Sequence, residues 1–214
     1  MARIYISSTY SDLKEHREQV YHTLRQMGHD VVAMEDYVAT SQHSPLEKCL
    51  ADVDKCDLYL GIFAWRYGYI PDDGNPQHKS ITELEYRQAS GRGKPCLVFL
   101  LDEEAHWLPK FMDTFTSEGE GGKRIKQLRQ QLATSKMVSF FKTPQELANQ
   151  VAVALQQWEQ ESVEELSPEK GTIIAGAEAM VSTGNQNVIQ SGTGNINIGQ
   201  GTDISIGKQP SSKG

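Results

Sequence analysis

Apolar residues fall in short runs along the first 160 positions, separated by longer polar stretches with helical spacing. Residues 2–6 (ARIYI) read as a buried strand. Between 11 and 27, apolar Leu13, Val20 and Leu24 share one helical face, and Gly28 is placed to cap that helix. Residues 29–34 form a second apolar run. Ser44-Pro45-Leu46-Glu47 carries Ser at N-cap, Pro at N1 and Glu at N3, so it starts a helix that reaches about Lys55. Residues 57–64 (DLYLGIFA) are almost continuously apolar, the pattern of a strand buried on both faces.

A loop rich in Gly, Pro, Asp and Asn follows from 67 to 79. The pattern then predicts a helix over 80–90, a turn at 91–94 and a strand over 95–101 (PCLVFLL). After a polar, Gly-rich stretch near 117–122 come a basic helix over 123–134 and a short strand over 137–140. Thr143-Pro144-Gln145-Glu146 starts a last helix that runs to about Gln160. Strands alternating with helices imply an α/β fold: a five-stranded parallel sheet between two helical layers, with the flavodoxin-like strand order 2-1-3-4-5. Ligands in such sheets sit at the carboxyl ends of strands 1 and 3, where the winding reverses. Those ends are Ser7-Ser8-Thr9 and Ala64-Trp65-Arg66-Tyr67.

The pattern changes after Trp158. Residues 161–170 are acidic and polar and read as a linker, so the α/β domain is expected to span 1–160. From 171 to 214 aromatic residues are absent and Gly, Asn, Gln, Ser, Thr, Ile and Val dominate. Thr183-Gly184-Asn185 recurs as Thr193-Gly194-Asn195, and Asn195-Ile196-Asn197-Ile198-Gly199-Gln200 as Asp203-Ile204-Ser205-Ile206-Gly207-Lys208. Apolar residues alternate with polar ones between glycines, which gives short strands joined by turns. Such a tail cannot bury its apolar face alone and is expected to assemble with copies of itself, as an amyloid-like stack or a β-solenoid.

Composition narrows the function classes. The formal net charge of -7 offers no general basic footprint for nucleic acid. No apolar run approaches the ~20 residues needed to span a bilayer. Cys49, Cys56 and Cys96 are an odd set and no secretory layout opens the chain, so a reducing cytoplasm is expected. Cys49 and Cys56 would share a helix face as a buried, reduced pair. The six histidines show no zinc spacing, and no metal is expected. Lys123, Arg124, Lys126 and Arg129 read as a solvated helix face.

The motifs carry a likeness. Ile4-Tyr5-Ile6-Ser7-Ser8-Thr9-Tyr10-Ser11-Asp12-Leu13 with Arg17, Cys56-Asp57-Leu58-Tyr59-Leu60-Gly61, Trp65-Arg66-Tyr67-Gly68-Tyr69 and Ser80-Ile81-Thr82-Glu83-Leu84-Glu85-Tyr86 occur in order. Together they resemble domain-of-unknown-function family 4062, a TIR-like family of bacterial signalling proteins. The wider TIR and nucleoside deoxyribosyltransferase groups place a Glu four residues before a small residue on the helix after the third strand. Glu85-Tyr86-Arg87-Gln88-Ala89 fits, so the resemblance implies Glu85 as the catalytic carboxylate, with Glu83 as the alternative two residues earlier. It further implies nucleotide contacts from Ser7, Ser8, Thr9, Trp65, Arg66, Tyr67, Tyr69 and Ser80. NAD is the implied substrate, and no cofactor is held permanently. A carboxylate beside the ribose can stabilise the oxocarbenium-like state of N-glycosidic cleavage. The tail motifs Gly184-Asn185-Gln186-Asn187-Val188-Ile189-Gln190 and Gly194-Asn195-Ile196-Asn197-Ile198-Gly199 resemble RHIM-like bacterial amyloid signalling motifs.

Two functions stay open at this point. One is an NAD-type nucleosidase or glycohydrolase assembled as a homo-oligomer through 171–214. The other is a non-catalytic adaptor that recruits an effector with a matching amyloid motif by β stacking.

Overall fold

The computed structural model describes residues 1–34, 44–116, 120–135, 137–166 and four short tail strands. Two compact units emerge, Met1–Trp158 and Glu159–Gly214.

The first unit is built on five parallel strands: β1 (Arg3–Ser7), β2 (Asp30–Ala33), β3 (Leu58–Phe63), β4 (Cys96–Leu101) and β5 (Val138–Phe141). Their spatial order is β2-β1-β3-β4-β5, as the alternation of strands and helices implies. Around them lie α1 (Lys14–Gln26), α2 (Pro45–Lys55), α3 (Ile81–Gly91), a 3-10 turn (Pro109–Phe111), α4 (Asp113–Thr116), α5 (Gly121–Ser135) and α6 (Pro144–Leu166).

Side chains alternate across each strand and so define two cores. On one face Ile4, Ile6, Leu58, Leu60, Ile62, Phe99 and Leu101 pack with Val20 and Leu24 of α1 and Val151 and Leu155 of α6. The other face is covered in two parts. Tyr5, Tyr59, Val53 and Ala89 pack under α2 and α3, while Phe63, Val98 and Leu100 meet Ile125, Leu128 and Leu132 of α5. Every residue of β3 is buried, as expected of the central strand.

Caps fix the element ends. Glu47 N donates to Ser44 Oγ at 3.2 Å while Ser44 N donates to a Glu47 carboxylate oxygen at 2.9 Å, a complete capping box. Ser80 caps α3 by accepting from Glu83 N at 3.3 Å. At the end of α1, Gly28 N donates to Arg25 O and His29 N to Leu24 O, a Schellman closure.

Three features differ from the sequence expectation. Helix α1 starts at Lys14 rather than Ser11, because residues 11–13 turn instead and Asp12 is buried at the sheet end. The 3-10 turn and α4 were not expected; Pro109 initiates the turn, and Trp107 docks against His16 and Phe111. Helix α6 continues past Gln160 to Leu166, since no Gly or Pro interrupts 161–166.

In the second unit, β6 (Val181–Thr183) pairs antiparallel with β7 (Gln186–Val188), and β8 (Ile196–Asn197) with β9 (Ser205–Ile206). The rest of the tail, including Gly184, Asn185, Gly194 and Asn195 of the RHIM-like motifs, lies outside the described residues. No described helix is long and apolar enough to cross a membrane.

Gly61 in β3 sets how closely the aromatic rings pack. A Cβ there would meet Phe63 Cε2 at 2.7 Å and Tyr59 Cε1 at 2.9 Å, both rings held in the buried core. Gly61→Ala should therefore destabilise the fold by about 1–3 kcal/mol through overpacking, read as a lower urea midpoint at unchanged slope.

Candidate functional site

Strands β1 and β3 lie side by side, and both chains leave the sheet at the same end. The loop after β1 presents Ser8 and Thr9. The loop after β3 presents Arg66, Gly68 and Tyr69. Helix α3 closes the third side and brings Glu85 to the floor of a cleft of about 270 Å³. Gly68 has φ +92° and lies so close to the β1 loop that a Cβ would sit 3.1 Å from Thr9 Cγ2. Only glycine keeps that backbone conformation and that approach without strain.

Glu85 is buried at 4 % exposure. Tyr5 and Ser7, two apart on β1, face the same side of the sheet and both reach it. The Tyr5 hydroxyl donates to Glu85 Oε1 at 2.7 Å, and Ser7 Oγ donates to Oε2 at 2.5 Å. Burial pushes the Glu85 carboxyl above its ordinary range, opposed by the donors Ser7, Tyr5 and Cys49 and by the charge of Arg17. The buried Tyr59 hydroxyl is likewise pushed well up, first by burial and then by the Glu85 charge.

Two cations border the cleft. Arg17 of α1 is buried, and its Nη1 donates to Ser8 Oγ at 2.8 Å. Arg66 donates to Ser11 Oγ at 2.5 Å, with its Nε 3.7 Å from Asp113 Oδ1. Asp113 also accepts from Tyr67 N at 2.7 Å and donates its own N–H to Trp65 O at 3.0 Å. The short helix α4 thereby straps the rim loop. Asp12 is buried beside this cluster; burial raises its carboxyl pKa, with Thr9 and Arg66 opposing.

Of the residues implied by resemblance, Glu85, Ser8, Thr9, Arg66 and Tyr69 line the cleft, and Ser7 lies beneath it as a donor to Glu85. Glu83, Trp65, Tyr67 and Ser80 are placed elsewhere. Two residues along a helix is a turn of about 200°, so Glu83 faces away from Glu85. It lies under Tyr67, Lys79 and Arg87, with its carboxylate 3.0 Å from Lys79 Nζ and accepting from the Tyr67 hydroxyl at 2.5 Å. Burial opposes ionisation there, but those three donors hold the Glu83 pKa below its ordinary value. Trp65 turns back onto the core with the Arg129 guanidinium 3.9 Å from its ring. Ser80 is fully buried as the α3 cap.

Arg129 is a correction to the expected solvated face. It is buried, and it donates to the carbonyls of Phe63 at 3.0 Å and Leu101 at 2.6 Å. Burial lowers its pKa to about 10. It closes the carboxyl ends of β3 and β4, where the ladder leaves carbonyls without partners.

Tyr5, Arg17, Tyr59 and Asp12 were not named as site residues from the sequence. Arg17 had a usable signal: it lies four residues after Leu13 and three before Val20, a charge on the apolar stripe of α1. Among the described residues, no group of three or more His, Cys, Asp and Glu is arranged to hold a metal.

Because Glu85 binds a proton more readily folded than unfolded, its ionisation costs folding stability as pH rises through its raised pKa. Glu85→Gln is therefore expected to melt a few degrees above wild type at neutral pH, with the difference shrinking as pH falls from the raised Glu85 pKa toward the ordinary Glu value near ~4.3 and constant below it. Thermal melts of both proteins across that range check it.

The family model described as Domain of unknown function (DUF4062) matches residues 3–156. Telomerase protein component 1 of Mus musculus is 25% identical over 178 residues, and that of Rattus norvegicus is 24% identical over 178 residues. Each match covers 64% of this chain, and the chain spans only 6% of those proteins. Among solved structures, a Clostridium botulinum CMP N-glycosidase superposes with TM-score 0.40 and 15% identity, over 70% of this chain and 98% of that one. A 2-desoxiribosyltransferase from Leishmania mexicana gives TM-score 0.36 and 18% identity, over 49% of this chain and 68% of that one.

Proposed function

The chain belongs to the DUF4062 family, and from that premise we propose that the Glu85 cleft binds a nucleotide-type substrate and cleaves its N-glycosidic bond. The observation that carries this reading is one buried carboxylate at the floor of a cleft, held by two hydroxyl donors and bordered by two arginines.

Cleavage at the anomeric carbon builds positive charge on the ribose ring. Ionised Glu85 lies where that charge would develop, in a buried setting that strengthens the attraction. Tyr5 and Ser7 hold both carboxylate oxygens in place, so orientation is set before substrate arrives. Arg17 and Arg66 supply cationic donors for phosphate oxygens, and Ser8 and Thr9 supply hydroxyls. As the base leaves with the electron pair of the C–N bond, the carboxylate either bonds to the anomeric carbon, to be released when water hydrolyses that ester, or stabilises the cation while water adds; both routes need it ionised. We take an NAD-type nucleotide as the substrate. The cleft is at the small end of ligand pockets, which run about 300–1,000 Å³, so it would enclose the ribose and one base while the rest of a dinucleotide extended outward.

On the TIR likeness of the motifs, the domain serves signalling or defence inside the cell. The tail supplies assembly: its short strand pairs present alternating apolar and polar positions that stacking of copies would extend. A recruited effector carrying a matching tail is the second reading, and it applies if the cleft binds without turnover.

Three measurements test these statements. NAD consumption by assembled wild-type protein should fall at least about a hundredfold in Glu85→Gln. Equal rates would leave the binding module as the function. Tyr5→Phe removes a donor to the ionised form, so the acid limb of kcat/KM should move to higher pH. Deleting residues 171–214 should abolish sedimentation as assemblies while the far-UV signature of the α/β unit persists; unchanged assembly would refute the role of the tail.

A further inference from the structure

Helix α3 has a second working face. Opposite the Glu85 cleft, an open groove of about 1150 Å³ runs between α3 and α5. Its walls carry Lys79, Arg87 and Arg124, against the single carboxylate of Glu83. Glu83 Oε1 lies 3.0 Å from Lys79 Nζ and 2.6 Å from Arg87 Nη2, so one carboxylate answers two cations. Among the described residues Arg124 forms no ion pair. It donates to the His78 carbonyl oxygen, and its guanidinium sits 5.8 Å from the Tyr67 ring centroid. Glu120, which feels the Arg124 charge, is itself held by Lys123 at 3.0 Å. Three cations against one carboxylate leave two positive charges in excess, on a chain whose formal net charge is -7.

We propose that this groove is a binding site for a compact, phosphate-rich anion of the nucleoside triphosphate or inorganic polyphosphate kind. Guanidinium and ammonium groups spread along one groove match the several oxyanions of such a ligand. Gln127 and Gln131 of α5 add amides that both donate and accept. The cations are arranged before any ligand arrives: the Tyr67 hydroxyl fixes Glu83, and Glu83 fixes Lys79 and Arg87. Preorganisation of that sort lowers the entropy lost on binding. The acidic remainder of the chain disfavours a long nucleic acid, which needs an extended basic track, and so favours a small ligand whose charge ends within the groove. The site is separate from the Glu85 cleft, although α3 forms a wall of both.

The test is isothermal titration of the full chain with inorganic triphosphate, ATP, adenosine and a short glutamate peptide. Triphosphate and ATP are expected to bind, more weakly as salt rises, and adenosine is expected not to displace triphosphate. Tighter ATP than triphosphate identifies a nucleotide, and equal affinities identify the bare polyphosphate. Arg124→Gln and Gln127→Glu should each weaken triphosphate binding at least about tenfold, or 1.4 kcal/mol. Both substitutions lie on exposed or half-buried positions of α5, and melting curves of the variants that match wild type confirm that they fold. Arg66→Gln, at the rim of the Glu85 cleft, should leave triphosphate binding unchanged. The proposal is overturned if millimolar triphosphate and ATP give no heat, or if only the glutamate peptide binds. Loss of triphosphate binding in Arg66→Gln with retention in both groove variants would also overturn it, since the anion would then occupy the cleft.

Discussion

Burying Glu85 between a helix and the sheet is the constraint on which the rest of the site depends. A carboxylate out of water is tolerated only with its oxygens satisfied, and here both are, by Tyr5 and Ser7 of β1. That pairing fixes the azimuth of α3, because a rotated helix would leave two buried hydroxyls and a carboxylate without partners. It also requires α3 to start at a defined point, which the Ser80 cap supplies. The approach of the Gly68 backbone to Thr9 then shapes the cleft over the carboxylate. Helix register, cap and rim loop thus answer to one buried acid.

Glu83 and Glu85 show how position alone separates two identical side chains. On α3 they project to nearly opposite sides. Glu83 meets Lys79, Arg87 and the Tyr67 hydroxyl, and its pKa is lowered. Glu85 meets burial and hydroxyls, with one cation acting at longer range, and its pKa is raised. The first is an ionised clamp between structural elements. The second is a carboxyl whose proton is held more tightly than in water, because burial outweighs the donors around it.

The sheet and its order were legible because each strand is a short apolar run bounded by a cap or turn signal: Gly28 after α1, Ser44-Pro45 before α2, Ser80 before α3. Those signals act over a few residues, so sequence displays them directly. The floor of the site was legible in part. The resemblance singled out Glu85 and Ser7, while Tyr5 and the contact of both donors with Glu85 were not readable, since Tyr5 and Ser7 lie 80 and 78 residues away in the chain. Trp65 and Tyr67 are placed by partners that sequence does not display. Their chemistry suits base stacking, yet Arg129 draws Trp65 onto the core and Glu83 draws the Tyr67 hydroxyl inward. Both partners are polar residues that periodicity assigns to a surface, and only tertiary packing brings them inside.

The segment from 102 to 116 exposes the same limit at the cleft rim. It has little periodicity, yet it forms the 3-10 turn and α4 and presents Asp113. Asp113 binds the backbone on both sides of Arg66 and lies 3.7 Å from its guanidinium. Arg66 therefore enters the cleft with part of its charge already balanced, by Asp113 and by buried Asp12. Arg17 comes from the opposite direction: α1 carries it to the cleft, where its Nη1 donates to the Ser8 hydroxyl and its charge acts on Glu85. The cleft rim is thus set by two unlike devices, a cation carried in on α1 and a loop tied down through Asp113, and only the first leaves a mark in the periodicity of the sequence.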